Sequence, residues 1–324
     1  MEDLKPEIVE KIKKLQQKYA AMGQDLESYL DGLLYADYLT YWDYIHLDTL
    51  LSLQTPMTSM PDEEIFIMYH QITELYFKLC LHEIDQIGNA EEPTGDWFLN
   101  RVTRINRYFE ALTKSFDIMV EGMERDQFLK FRMSLLPASG FQSGQYRMIE
   151  IGCTPFNRLV DKEHREQYED FTREDIPAMY RHIYWQEGAT ELSTGDKTLT
   201  LKQFEQKYNK QLLEMAEEYH NKNIWRVYRM LPSEEQNRDD IRIALRWLDT
   251  NVNVNWPLSH YKSAVRYLQK DPEDIAATGG TNWQKYLPPR FQKRIFYPEL
   301  WNEEELRDWG KGWVKEVVFG VKGE

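Results

Sequence analysis

An all-α protein is what this sequence predicts, and three observations carry the prediction. Apolar residues recur at helical steps of three and four through most of the chain. Strand-like alternation is scarce: Val252, Val254 and Trp256 alternate briefly, and the pattern stops at Pro257. Aromatic residues make up 14% of the 324 positions (20 Tyr, 14 Phe and 10 Trp), enough to fill a large core despite a polar average,.

The clearest helix runs through residues 65–80. Ile65, Met68, Tyr69, Ile72, Leu75, Tyr76 and Leu79 form one apolar stripe, and Phe66, His70, Thr73, Phe77 and Cys80 line the next. A helix apolar over so much of its circumference is predicted to be buried. Similar periodicity predicts helices over roughly 97–123, 161–185, 201–231, 234–250 and 258–269. Residues 188–197 and 270–282 read as loops, the first with Ser-Thr-Gly-Asp, the second with Asp-Pro and Gly-Gly,. No repeat and no long linker is visible. The expectation is a single domain over 1–324, with residues 1–40 a charged, amphipathic helical arm and 41–324 the core.

Charge and composition exclude several functions. Forty Lys plus Arg against 54 Asp plus Glu give a net charge of −14. Nucleic-acid backbones and anionic membranes both demand a basic face, so neither is an expected partner. The charged start lacks an apolar run of signal-peptide length, and no stretch approaches 18 apolar residues,. Two cysteines, Cys80 and Cys153, form no CxxC pair and read as reduced thiols of a cytoplasmic protein,. The dinucleotide, P-loop, zincin and hydrolase motifs are all absent.

Seven histidines remain as candidates: His46, His70, His82, His164, His182, His220 and His260. Most histidines of a helical protein are merely packed or exposed. His70 shares a helix face with Phe66 in the most apolar helix, where a neutral imidazole must bond something or bind a metal. His260, in WPLSHYKSAVRYL, has no neighbouring carboxylate or cysteine to complete a zinc set. A lone histidine in an apolar helix suits an axial haem ligand, and a satisfied core histidine suits the same pattern. Glu217 and His220 have di-iron spacing but no second such pair, and read as a solvated face,. Arg132, between Phe128 and Phe131, needs a partner: a gripped substrate carboxylate or one of the many acidic side chains. Arg147 poses the same choice, with Glu150 three residues on. Thr278-Gly279-Gly280-Thr281 is an ordinary turn or a place where backbone approaches a ligand closely,.

Four segments, in order, carry a family resemblance: YWDYIHLDTLLSLQ (41–54), FIMYHQITELYFKLCLHEID (66–85), DQFLKFRMSLLPASGFQSGQYRMIE (126–150), and WPLSHYKSAVRYL with TGGTNW (256–283). Together they resemble the tryptophan 2,3-dioxygenase signature, closely over about 38–150 and loosely over 230–290. The resemblance implies a helical haem-dioxygenase bundle with non-covalent haem b, since CxxCH is absent. It implies cleavage of the indole C2–C3 bond of L-tryptophan by O2 to N-formylkynurenine. Carried over by position, His260 would be the proximal haem-iron ligand. His70 would accept a hydrogen bond from the indole N–H, Phe66 would pack on the ring, and Arg132 would hold the substrate carboxylate. Thr278 would contact the ammonium group, while Leu135, Ser139 and Tyr146 would line the haem and indole pocket. Tyr41, Tyr44 and Ile45 match residues that reach into a neighbour's site, which implies a homotetramer. Rival readings are a sibling haem oxygenase acting on another aromatic, such as a substituted indole or tyrosine, and a haem sensor without turnover. Pro257, absent from the family pattern, predicts that the helix bearing His260 begins near Trp256.

Overall fold

The computed structural model describes residues 4–37, 39–135, 140–187, 189, 196–268 and 293–310, and the chain divides into two compact units, residues 1–55 and 56–324. The first unit carries α1 (Pro6–Ala21), α2 (Leu26–Leu34), α3 (Tyr41–Tyr44) and α4 (Leu47–Leu50). Pro6 occupies the first turn of α1, where its missing N–H costs nothing,. Asp25 caps α2 by accepting from the backbone N–H groups of Glu27 (3.1 Å) and Ser28 (3.0 Å),. Leu26 is the one buried residue of this unit among the described residues. Leu33, Leu34, Tyr35, Tyr41 and Tyr44 are all strongly exposed.

The second unit comprises α5 (Asp62–Gly88), α6 (Gly95–Ser115), α7 (Asp117–Glu121), α8 (Arg125–Phe131), α9 (Gly144–Cys153), α10 (Ile176–Met179), α11 (Tyr184–Glu187), α12 (Leu199–Glu218), α13 (Ile224–Met230), α14 (Ser233–Gln236), α15 (Asp239–Thr250), α16 (Trp256–Leu268) and α17 (Glu303–Arg307). No strand occurs among the described residues; β-pairing there is of the isolated kind, as between Val160 and Ile183. The fold is all-α, as predicted. No helix of the described residues is long and apolar enough to cross a membrane.

α5 is the central rod, with α6 and α9 packed against it and α15 on the far side of α6. Its start is held by acidic side chains. Glu63 accepts from the Met57 and Thr58 N–H groups (2.8 Å each), and Asp62 accepts from the Glu124 N–H. Its core face is Tyr69, Thr73, Phe77, Cys80, Ile84 and Ile87. The other apolar stripe behaves differently from expectation. Met68, Ile72, Leu75 and Leu79 are 39–49% exposed, so α5 presents an uncovered apolar face one turn apart along its length,.

The loop ahead of α9 and α9 itself wire the bundle together. Ser143 caps the helix at the Tyr146 N–H (3.3 Å). Gln142 donates to the Thr200 carbonyl (3.2 Å), and Gln145 donates to both the carbonyl (2.9 Å) and the carboxylate (2.8 Å) of Glu74 on α5. Gly152 lets α9 touch α5: a Cβ there would lie 2.5 Å from Ile84 Cγ2, a methyl that a β-branched side chain in a helix cannot swing away,.

Two expected helices break for local reasons. Residues 161–185 form a chain of single turns rather than one helix. Asp161 bonds the N–H groups of Glu163 and His164 (2.9 and 3.2 Å), Thr172 and Asp175 make a reciprocal capping box, and Pro177 cannot continue a preceding helix,. The 201–231 stretch splits because Asn223 caps a new helix at the Arg226 N–H (3.1 Å).

The brief alternation at Val252–Trp256 belongs to a π-helical turn, Asn251–Asn255, joining α15 to α16 without interruption. Pro257 explains it: proline donates nothing and crowds the carbonyl four residues back, and a widened turn relieves both problems. Trp256 N–H accordingly bonds the carbonyl of Asn251, five residues back. The freed Val252 carbonyl accepts from the Tyr146 hydroxyl (2.8 Å). Side chains stitch the turn further, with Asn253 donating to Asp249 (2.8 Å) and Asn255 donating to Asn251 (2.9 Å). The expected start of a helix near Trp256 is not what forms: the helix runs unbroken from α15 into α16, and the proline widens it instead of starting it.

Gly152→Val should destabilise the protein by about 1–3 kcal/mol, because the added methyls overpack the α5–α9 contact. Urea unfolding followed by circular dichroism measures this, and an unchanged midpoint would contradict the packing described.

Candidate functional site

Two imidazoles are built the same way. His70 on α5 donates its Nδ1–H to the carbonyl of Phe66, 2.7 Å away and four residues back. His260 on α16 donates its Nδ1–H to the carbonyl of Trp256, 3.1 Å away and again four residues back. A carbonyl only accepts, so the proton sits on Nδ1 in each ring and Nε2 carries a lone pair. The residue supplying the carbonyl also supplies a ring. Phe66 lies over His70 with centroids 4.1 Å apart, and Trp256 meets His260 edge-on at 4.5 Å. Phe116 also packs on His260 at 4.6 Å, next to Trp256 (5.4 Å), and meets Tyr69, the neighbour of His70, at 5.7 Å.

Both rings are half-buried, each packed against aromatic side chains. Burial holds both below the ordinary histidine range. His260 falls to about 4, first through desolvation, with a smaller lowering from His70,. Both imidazoles are neutral at neutral pH.

An aromatic wall continues from Phe66. Phe131 stands edge-on to it at 5.6 Å and Phe128 at 6.3 Å, both from α8. The chain then enters the 3-10 turn Arg132–Leu135, so Arg132 directly follows a residue that touches Phe66. Burial lowers the Arg132 pKa. Leu135 packs partly buried against the same core. Tyr146 reaches the site region indirectly: its ring meets Phe77 at 5.6 Å, and Phe77 meets Trp256 at 5.7 Å. Burial pushes the Tyr146 hydroxyl up to about 12, so it acts as a neutral donor to the π-turn.

The Arg147 ambiguity resolves to the plain reading. Its guanidinium pairs with Glu150 at 2.9 Å and bonds the Tyr184 hydroxyl at 2.6 Å, and Arg294 joins the same buried cluster. Glu217 pairs with Arg173 at the surface (3.3 Å), in keeping with its solvated reading, while His220 is partly covered by the edge of Phe171.

The structure thus brings Phe66, His70, Arg132, Leu135 and His260 onto neighbouring elements of one unit. Tyr41, Tyr44 and Ile45 belong to the other unit, with Tyr41 and Tyr44 exposed and Ile45 half-buried. Ser139 and Thr278 lie outside the described residues. Sequence reading missed Phe116, the π-turn and Asp249. The repeated aromatic-x-x-x-His pattern, Phe66 to His70 and Trp256 to His260, was the available signal for the two walls. Asp249, fully buried, accepts from the N–H groups of Phe296 (2.9 Å) and Tyr297 (3.0 Å) and from Trp301 Nε1 (3.1 Å), clasping residues 296–301 to the helix that leads to His260.

The described residues form an all-α scaffold that holds two neutral imidazoles among aromatic side chains. Comparisons with known proteins name the family. The family model for tryptophan 2,3-dioxygenase matches residues 33–240. A tryptophan 2,3-dioxygenase of Ruegeria sp. (strain TM1040) is 28% identical over 278 residues, covering 82% of this chain and 92% of its own. One of Bacillus thuringiensis subsp. konkukian is 29% identical over 273 residues, covering 82% and 91%. Another, of Polaromonas naphthalenivorans, is 37% identical over 128 residues, 39% of this chain and 45% of its own. The chain belongs to the tryptophan 2,3-dioxygenase family, a family of oxidoreductases of the dioxygenase class. The family-model match ends upstream of His260, so the reading of that residue stands on its geometry.

The two buried groups titrate in opposite senses. His260, depressed from 6.5 to about 4, takes its proton later in the folded state, so its contribution to stability falls as pH drops through that window,. Asp249, which burial pushes up from 3.8 to about 6, takes its proton earlier in the folded state and offsets the loss,. Asp249→Asn should therefore steepen the loss of stability of the haem-free protein between pH 6.5 and 4. Parallel slopes for variant and parent in urea titrations across that range would refute the linkage.

Proposed function

We propose that this chain is a haem-b tryptophan 2,3-dioxygenase, opening the indole C2–C3 bond of L-tryptophan with O2 to give N-formylkynurenine. The observation that carries the reading is the matched tautomer of His70 and His260, each with a lone pair on Nε2 and an aromatic ring packed against it. The names of the relatives support the substrate.

The donor set fits haem b. A neutral buried imidazole with Nδ1–H tied to a carbonyl is an oriented axial ligand, and that second bond raises its basicity. His260 would hold the iron through Nε2. Bound ferrous haem supplies the O2 chemistry. Everything else falls to the protein. His70, kept neutral by burial, would accept the indole N–H at Nε2 and hold the ring in one orientation. Phe66 would stack against the indole, with Leu135, Ser139 and Tyr146 lining the pocket and the Phe116–Trp256 wall excluding water. Arg132, partly desolvated, would grip the substrate carboxylate in a two-pronged pair, strengthened where water is scarce. Thr278 would contact the ammonium group.

The reading extends to assembly. The uncovered stripe Met68, Ile72, Leu75 and Leu79 and the exposed apolar residues of the first unit support a homotetramer in which Tyr41, Tyr44 and Ile45 complete a neighbour's site,. Buried free thiols at Cys80 and Cys153 are in keeping with a cytoplasmic setting,.

Protein produced with haem supply should show a Soret band that shifts on adding L-tryptophan to the reduced form, and His260→Ala should lose the pigment. Retention of full pigment by that variant would overturn the ligand assignment. Arg132→Leu should keep the pigment while raising KM for L-tryptophan roughly 10- to 100-fold, the value of one charged hydrogen bond at about 1.5–3 kcal/mol. Normal pigment with turnover of another aromatic, and none of tryptophan, would identify a sibling oxygenase instead. Light scattering should give four times the chain mass; a fully active monomer would remove the shared-site reading.

A further inference from the structure

A second cluster of metal-ligating side chains lies away from α5 and α16, among the single turns between α9 and α11. Asp161, His164 and His182 each present a donor atom, and these atoms lie within 4.8 Å of one another. We propose that they form a binding site for one first-row divalent cation of the zinc class, held by a carboxylate and two imidazoles with further positions open to water.

Four observations bear on it. The donor set is mixed nitrogen and oxygen, the chemistry that selects zinc and its neighbours over calcium or magnesium. Asp161 Oδ2 and His164 Nδ1 are 2.8 Å apart. A cation bonded to both at about 2.1 Å needs them roughly 3.4 Å apart in a tetrahedral site, so the pair must open slightly and His164 must release the Nδ1 proton it shares with the carboxylate. The rings of His164 and His182 are stacked, with centroids 3.9 Å apart and planes inclined at 21°, so one ring must tilt for both in-plane lone pairs to reach a single cation. Finally, the backbone is already arranged. Asp161 N–H donates to the His182 carbonyl at 2.8 Å, and Val160 bridges Ile183, so two ligands from one turn meet the third across a fixed pairing.

Asp161 is buried, accepting from the Glu163 and His164 N–H groups and paired with the His164 ring, which keeps a third of its surface accessible and so gives a cation a path in,. Nearby Arg165 spends its guanidinium on the Val160 carbonyl. Short turns with few regular backbone bonds open easily, and a cation bound only by the folded form would staple the 160–183 segment.

The test uses untagged, haem-loaded protein dialysed against Zn2+, with zinc and iron measured separately by elemental analysis. The expected result is one zinc per chain in the parent and less than about a tenth of that in Asp161→Asn and in His182→Gln, with pigment content and circular dichroism unchanged. Zinc should also raise the melting temperature of the parent and leave that of both variants alone. Equal zinc in parent and variants, or none in the parent, would overturn the site and leave the cluster as a hydrogen-bonded turn. Should both variants fail to fold, Co2+ titration of the parent decides: ligand-field bands saturating at one equivalent support the site, and their absence overturns it.

Discussion

A hydrogen bond from an imidazole Nδ1–H to the carbonyl one helical turn back is the constraint on which the site depends. It occurs twice, at His70 and at His260, and each time the residue that accepts it also lays an aromatic ring against the imidazole. One local device, aromatic-x-x-x-His on a helix, settles rotamer, tautomer and apolar surroundings together. Buried neutral imidazoles then follow from desolvation, and a lone pair on Nε2 follows from the tautomer,.

Placing the second of these devices requires an irregular helix. Pro257 cannot donate, and the chain answers with a π-turn whose loosened carbonyl is taken up by Tyr146. Tyr146 stands on α9, and Gln145 beside it bonds α5, the helix of His70. The run Phe141–Arg147 is therefore a junction: its side chains join the helix of one histidine to the turn that precedes the other. Asp249 adds a third tie, fixing residues 296–301 against the helix that enters the π-turn. The buried Arg147–Glu150–Arg294 cluster anchors the same C-terminal segment to α9. A segment resemblance that looks like a list of pocket residues is in good part a set of structural joints.

The apolar pattern of α5 shows where periodicity reads correctly and still misleads. Both stripes exist, yet only the one through Thr73, Phe77 and Cys80 is covered within the chain. Periodicity reports that a face must leave water; it does not report whether the cover is the same chain or another. The 161–185 stretch misled differently. Its apolar spacing is helical, but Asp161, Thr172 and Asp175 satisfy backbone N–H groups locally and Pro177 forbids continuation, so side-chain bonds overrode the period,.

The sequence by itself determined the all-α class, most of the principal helices, a local disturbance at Pro257 and the singling out of His70, His260 and Arg132. Those are local matters, decided by period, by capping chemistry and by what a single residue can or cannot donate. Tertiary structure alone decided that Arg147 is neutralised by Glu150 and Tyr184, that Phe116 walls one imidazole while touching the neighbour of the other, and that Asp161 meets His182 across a bridge. These pairings join residues far apart along the chain, and their free energy comes from burial and mutual proximity, quantities that exist only once the helices have packed.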